Sequence, residues 1–175
     1  MSPPTACHRF VQRVTNAFLS AGGHDSSCLA QSSVRLIHAQ PGLVRLGLTI
    51  GKHNVNRLGS LHGGLICTLT DTMGSLALAS RGLYSTGVST DISTTFVKAA
   101  GVVGDEVHAE GRVISLGKTL ATTRMELRHP VTNAILAFGS HTKFVGKAHG
   151  HAENVEFDDQ GNLIKGRNPD EWPDK

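Results

Sequence analysis

Asp71 stands inside an apolar stretch, 65–79, where packing asks for no charge, and the chain reads His62-Gly63-Gly64 just before that stretch. The two features suit two halves of one reaction. A helix that opens on a glycine pair leaves backbone N–H groups free to hold an oxygen carrying partial negative charge. A carboxylate set in an apolar wall is a candidate base or nucleophile. An electrophile grip and a base this close in sequence point to hydrolysis of an activated acyl group.

Their spacing adds a constraint. On one helix, Gly63 and Asp71 lie about 12 Å apart at 1.5 Å per residue. General-base chemistry needs hydrogen-bond reach, about 3 Å or one intervening water. Either Asp71 is an acid bonded to neighbouring hydroxyls such as Thr68 or Ser75, or a second copy of the helix completes the site. Two such helices, antiparallel about a two-fold axis, set each Asp71 beside the other's Gly63, which predicts a dimer with two equivalent sites.

Three further residues belong to this constellation. His62 serves either as an N-cap that orients Asn56 or as a substrate contact. Asn56 either donates its amide to the oxygen held by Gly63 or is a loop-turn asparagine. Ser89, in Gly87-Val88-Ser89-Thr90-Asp91, either holds an attacking water or satisfies a sheet surface. No GxSxG nucleophile signature is present. Gly117-Lys118-Thr119 has the letters that end a phosphate loop without its glycine spacing.

The elements that must position these groups follow from periodicity. A helix spans 5–21, stopped by Gly22-Gly23. Alternating runs at 33–39 and 43–50, joined through Pro41-Gly42, make a hairpin. A polar loop, 51–61, leads into the central helix, 62–80, closed by Arg81-Gly82. Strand-like segments follow at 87–97, 106–116, 119–128 and 134–145, with connections short enough to force antiparallel neighbours. The economical architecture is α+β, one antiparallel sheet of six strands curled around the central helix. In that helix Cys67, Asp71, Gly74, Ser75 and Leu78 form a small-residue stripe continuing from Gly63 and Gly64, while Leu65, Ile66, Leu69, Met73, Leu76 and Ala77 fill the other faces. The body is expected at 1–146, with its N-terminal helix region at 1–24, and 147–175 as a polar surface tail with room for a small hairpin.

Composition sets the outer bounds. With 175 residues, 39% apolar and 18% charged, the chain suits one globular domain. No apolar run reaches the roughly 20 residues of a membrane span. Cys7, Cys28 and Cys67 form no CxxC pair, which fits a reducing compartment, and the ten histidines are too scattered for a metal site. Residues 1–146 hold thirteen of the 17 bases but only seven of the 14 acids, and a positive body favours an anionic ligand. No recognition helix or basic arm for nucleic acid is evident. Arg9 and Arg13 in an amphipathic, acid-free start read either as a mitochondrial presequence or as a helix docking its apolar stripe.

Taken together, Asn56 through His62-Gly63-Gly64, then Asp71, Gly87-Val88-Ser89-x-Asp91, Gly117-Lys118-Thr119 and His141-Thr142-Lys143 resemble the hotdog-fold acyl-CoA thioesterases of the phenylacetate-degradation type, over residues 8–146. The resemblance implies a six-stranded antiparallel sheet wrapped around one long helix, dimers paired into a tetramer, and hydrolysis of acyl-CoA to a carboxylic acid and CoA. It implies that Gly63 and Asn56 polarise the thioester carbonyl. Asp71 of the facing subunit activates water or attacks directly, and Ser89 of that subunit positions the water. Phe96, Val97, Lys98, Gly117, Lys118, Thr119 and Lys143 run along the pantetheine and nucleotide. It implies no metal and no cofactor beyond CoA itself, and a cytoplasmic or mitochondrial location. Two other readings compete: a hotdog enoyl-CoA hydratase or dehydratase using His62 and Asp71, and a non-catalytic acyl-CoA-binding protein.

Overall fold

The computed structural model describes residues 3–29, 33–168 and 171–172. In chain order they form α1 (Ala6–Ser20), α2 (His24–Leu29), β1 (Ser33–Gln40), β2 (Leu43–Thr49), α3 (Gly63–Ala79), β3 (Val88–Phe96), β4 (Glu106–Leu116), β5 (Leu120–Arg128), β6 (Ile135–Phe144), β7 (Glu156–Phe157) and β8 (Leu163–Lys165). Six strands make one sheet in the order β1-β2-β4-β5-β6-β3, every pairing antiparallel. The strand after the helix therefore lies at the far edge, beside the last long strand. The expected helices and six strands are all present, with ends within two residues of those read from periodicity.

The sheet closes on α3 because alternate residues of β4, β5 and β6 point inward and are mostly apolar or small, His141 and Lys143 of β6 being the large polar exceptions. Leu65, Ile66, Leu69, Met73 and Leu76 of α3 meet Leu46, Leu48, Met125 and Leu127 in one buried cluster. Gly111 marks the closest approach: a Cβ there would lie 2.4 Å from the Met73 carbonyl oxygen. No side chain fits between strand and helix at that point. Met73 is fully buried, and truncating such a side chain to alanine typically costs about 2–5 kcal/mol. The opposite face of the sheet stays polar through ion pairs. Glu110 there is bracketed by Arg45 at 2.5 Å and Arg112 at 2.7 Å.

Three terminal features bear on the site. The helix α1 starts with Thr5 as N-cap, its hydroxyl accepting the His8 N–H at 3.2 Å, and docks Phe10, Val11 and Val14 in the core. Periodicity gave no sign of α2, since six mostly polar residues carry no apolar repeat. Side chains fix it instead: Thr72 donates its hydroxyl to Asp25 at 2.7 Å, and His24 lies 3.0 Å from the Thr68 hydroxyl. Within 147–175, expected as a polar surface tail, β7 and β8 pair as a hairpin and Ala148 and Val155 are buried. Val155 donates its N–H to Gly82 at the end of α3 at 3.0 Å. Phe157 and Trp172 meet Phe10 edge-on, with ring centroids 5.8 and 5.2 Å away. A segment polar in composition thus covers the N-terminal helix with a few aromatic anchors.

Candidate active site

The site along α3 and the edge strand β3 carries a different set of groups at each end, one at the start of the helix and the other about two turns on, at its middle. At the first end, α3 begins at Gly63 with His62 as N-cap. The His62 ring accepts the Gly64 N–H through Nδ1 at 2.8 Å, and the His62 carbonyl takes the next two N–H groups, of Leu65 and Ile66. The Gly63 N–H has no hydrogen-bond partner among the described residues and remains available at the positive end of the helix dipole. The Phe96 ring roofs it: a Cβ on Gly63 would sit 3.4 Å from two ring carbons. The loop that delivers Gly63 is braced by Asn56. Its Oδ1 accepts the N–H of Leu58 at 2.9 Å and of Ser60 at 3.3 Å, and its Nδ2 donates to the Ser60 hydroxyl at 2.9 Å. Asn56 is thus a turn-forming asparagine with one amide hydrogen left over. A cavity of about 320 Å³ opens on the other side of His62 and Gly64, lined also by His24, Cys28, Leu65 and Thr68.

The second end is built from buried side chains around Asp71. Its carboxylate is 46% exposed, and its inner oxygen Oδ1 lies 3.6 Å from His141 Nδ1 and 3.7 Å from Lys143 Nζ. His141 Nε2 meets the Ser89 hydroxyl at 2.9 Å, so Ser89, His141 and Asp71 stand in series. Lys143 donates to the Ser75 hydroxyl at 2.6 Å. Among the described residues Asp71 faces His141 and Lys143 rather than the Thr68 or Ser75 hydroxyls. Burial and the nearby Lys143 ammonium hold the His141 imidazole below its usual range against the pull of Asp71 and Asp91, so it is neutral. Burial likewise lowers the Lys143 amine, with Asp71 pulling back.

Glycine 74 makes this end possible. A Cβ there would lie 2.8 Å from His141 Nδ1 and 2.6 Å from the Thr123 hydroxyl, so the two strands reach the helix only because that side chain is absent. The expected small-residue stripe is therefore open over part of its length only. Cys67 is exposed and Asp71 half exposed, while Gly74, Ser75 and Leu78 are buried beneath β5 and β6.

The remaining expected residues divide between the two ends. Phe96, Val97 and Lys98 are exposed at the Gly63 end. Gly117, Lys118 and Thr119 form the exposed β4–β5 turn at the Asp71 end, where Leu120 pairs with Phe144 and Phe144 with Val88. Lys143 departs from expectation. It points inward and is 4% exposed, because β6 alternates and position 143 falls on the helix side, so it has no reach to a nucleotide on the surface. His141 was missed as a site residue. The sequence shows it only within His141-Thr142-Lys143, where alternation puts it on the same face as Lys143 and the register of β6 turns that face inward. His62 and Asp71, the pair a hydratase would use, are not brought together within one chain. Among the described residues no group of three or more His, Cys, Asp or Glu is arranged to hold a metal ion, and no helix is long and apolar enough to cross a membrane.

Known proteins share this fold and much of this sequence. The sequence pattern of the thioesterase superfamily matches residues 58–133, which span the end of the loop, α3, β3, β4 and β5. A protein of Schizosaccharomyces pombe is 41% identical over 145 residues, covering 83% of this chain and 88% of that one. Human acyl-coenzyme A thioesterase 13 is 34% identical over 113 residues, covering 65% and 80%. Among solved structures, zebra fish thioesterase superfamily member 2 superposes with a TM-score of 0.72 at 28% identity, covering 82% of this chain and all of that one. By sequence, coverage and hotdog architecture alike, this chain belongs to the thioesterase superfamily.

Proposed function

We propose that two copies of this chain, related by a two-fold axis at the β3 edge, hydrolyse acyl-CoA thioesters to the free acid and CoA at two shared sites. One observation carries the reading: the free Gly63 N–H opens α3 while the Asp71 carboxylate stands about two turns on, at the middle of the same helix, too far for one carbonyl to touch both, so each position holds half of what the reaction needs. The edge strand supports it. Ile92 and Phe96 are exposed on one face of β3, and Val88, across the bulge between Ser89 and Asp91, is exposed on the other; a long unpaired edge of this kind is a template for pairing with another strand. Antiparallel pairing of β3 with its copy sets Phe96 beside the other copy's Val88, and hence Gly63 near the other's Ser89 and Asp71. The name of the human relative supports the substrate class.

The chemistry then follows from the residues. Asp71 takes a proton from water, placed by Ser89, as the water oxygen attacks the thioester carbon. The Gly63 N–H of the other copy, with the spare amide hydrogen of Asn56, holds the developing oxyanion. Collapse expels the CoA thiolate, which regains the proton from Asp71. Neutral His141 accepts from or donates to Ser89 and so fixes the water site. Phe96, Val97 and Lys98 of one copy, with Gly117, Lys118 and Thr119 of the other, line the approach for pantetheine and nucleotide, and the cavity beside Gly64 gives the acyl group room. The reaction so written needs no metal and no cofactor.

The test is release of free thiol from a panel of acyl-CoAs, short, long and aryl, by wild type and Asp71→Asn. Turnover of at least one member that collapses in the folded variant supports the reading. Near-normal hydrolysis by Asp71→Asn removes the acid from the mechanism, and hydration of an enoyl-CoA without thioester cleavage replaces the reading with a hydratase.

A further inference from the structure

We propose that Lys143 is a positioning residue, whose buried ammonium, pinned by Ser75, aims the Asp71 carboxylate outward. The inference rests on the thioesterase reading for the reaction assayed, and on geometry for the rest. Position 143 lies on the inward face of β6, where the neighbouring inward positions are Ala137, Gly139 and His141 and an apolar side chain would satisfy the core. A lysine placed there must carry its charge out of water, a costly choice unless the charge is used. The ammonium has two polar contacts among the described residues, the Ser75 hydroxyl at 2.6 Å and Asp71 Oδ1 at 3.7 Å. Ser75 follows Asp71 by one helical turn on α3, so the two lie on one face, and the lysine bridges them from across the sheet. Its contact is with the inner oxygen of a carboxylate that is 46% exposed. One oxygen is thus held from behind while the other faces outward.

The other groups around this carboxylate do not duplicate the role. His141, also on β6, is neutral. Asp25 on α2 is bound to the Thr72 hydroxyl. Asp91 on β3 acts on His141, and Cys67 lies one turn earlier on α3 itself. Lys143 is therefore the cation that faces Asp71 among the described residues.

The experiment compares wild type, Lys143→Met and Ser75→Ala. Methionine nearly matches the volume of lysine, so the packing is kept while the charge goes. Loss of alignment predicts that kcat of Lys143→Met falls about 10- to 100-fold with KM little changed. Ser75→Ala keeps the ammonium and falls less. The His141 imidazole, followed by NMR, titrates at higher pH in Lys143→Met, because the neighbouring charge that lowers it is gone. A folded Lys143→Met with wild-type kcat overturns the proposal. Should that variant fail to fold, an unchanged kcat in Ser75→Ala overturns it. If wild type cleaves no acyl-CoA at all, the functional reading fails by itself. The crystal structure of Lys143→Met then decides, with a displaced Asp71 carboxylate supporting the role and an unmoved one refuting it.

Discussion

The two ends of the site, at the start and at the middle of α3, are made of different materials. At the Gly63 end the working group is a backbone N–H, held by a cap at 2.8 Å and a turn closed by one asparagine, all within residues 54–64. At the Asp71 end the working groups are side chains, and the partners that hold them come from β3 and β6, 18 to 72 residues away in sequence. The first end is set mainly by local contacts, with its loop tied to the chain at Gly101 and Val102. The second exists only after the sheet has closed on the helix. Damage to the first should therefore be chemical and clean, and damage to the second should mix chemistry with packing.

Four changes sharpen that contrast, taken from the largest effect down. Asp71→Asn keeps shape but removes the base, and kcat should fall by about 10²–10⁴ with the oligomer intact by sedimentation. Gly63→Pro removes only the N–H. His62 already has the extended backbone, φ −68° and ψ 131°, that a following proline demands, and proline is well placed at the first helical position. Its kcat should fall about 10²–10³ with an unaltered melting temperature, whereas Gly63→Ala, which keeps the N–H, should retain most activity. At the other end Gly74→Ala drives a methyl against His141 and Thr123. It should cost about 1–3 kcal/mol of stability by denaturant titration and lower activity as well, the mixed effect that Gly63→Pro should not show.

The smallest effect is a pH dependence. His141 is held below its usual value of 6.5 in the folded chain, so below that pH the unfolded chain binds the extra proton and the folded one does not. Stability should then decline as pH falls from 6.5 towards the folded value. His141→Gln should flatten that part of the curve, and no change on substitution would mean that the ring is not held neutral.

The same contrast explains what the sequence disclosed. The Gly63 end was legible because cap, glycines and helix start are neighbours, and the hydrophobic period fixed α3 and all six strands. Asp71 was legible as an anomaly, one charge in an apolar run. Its surroundings were not. His141 and Lys143 are ordinary polar letters in a strand, and only the register of β6 against β5 and β3 turns them inward, so Lys143 looked like a surface cation. The α2 helix was hidden for a related reason, since Asp25 and His24 bind Thr72 and Thr68 rather than following an apolar repeat. The aromatic anchors of 147–172 were masked by the charge around them.

The central claim is that the two ends work together only across two copies, and mixing defective copies tests it. Asp71→Asn and Gly63→Pro are each inactive alone, but unfolding and refolding them together in equal amounts gives hybrids that contain one intact Gly63 end facing one intact Asp71 end. Half of randomly assembled pairs are hybrid and each has one whole site of two, so the mixture should recover about a quarter of wild-type acyl-CoA hydrolysis. A mixture that stays as inactive as its two components, while mass spectrometry shows that hybrids have formed, would contradict the account.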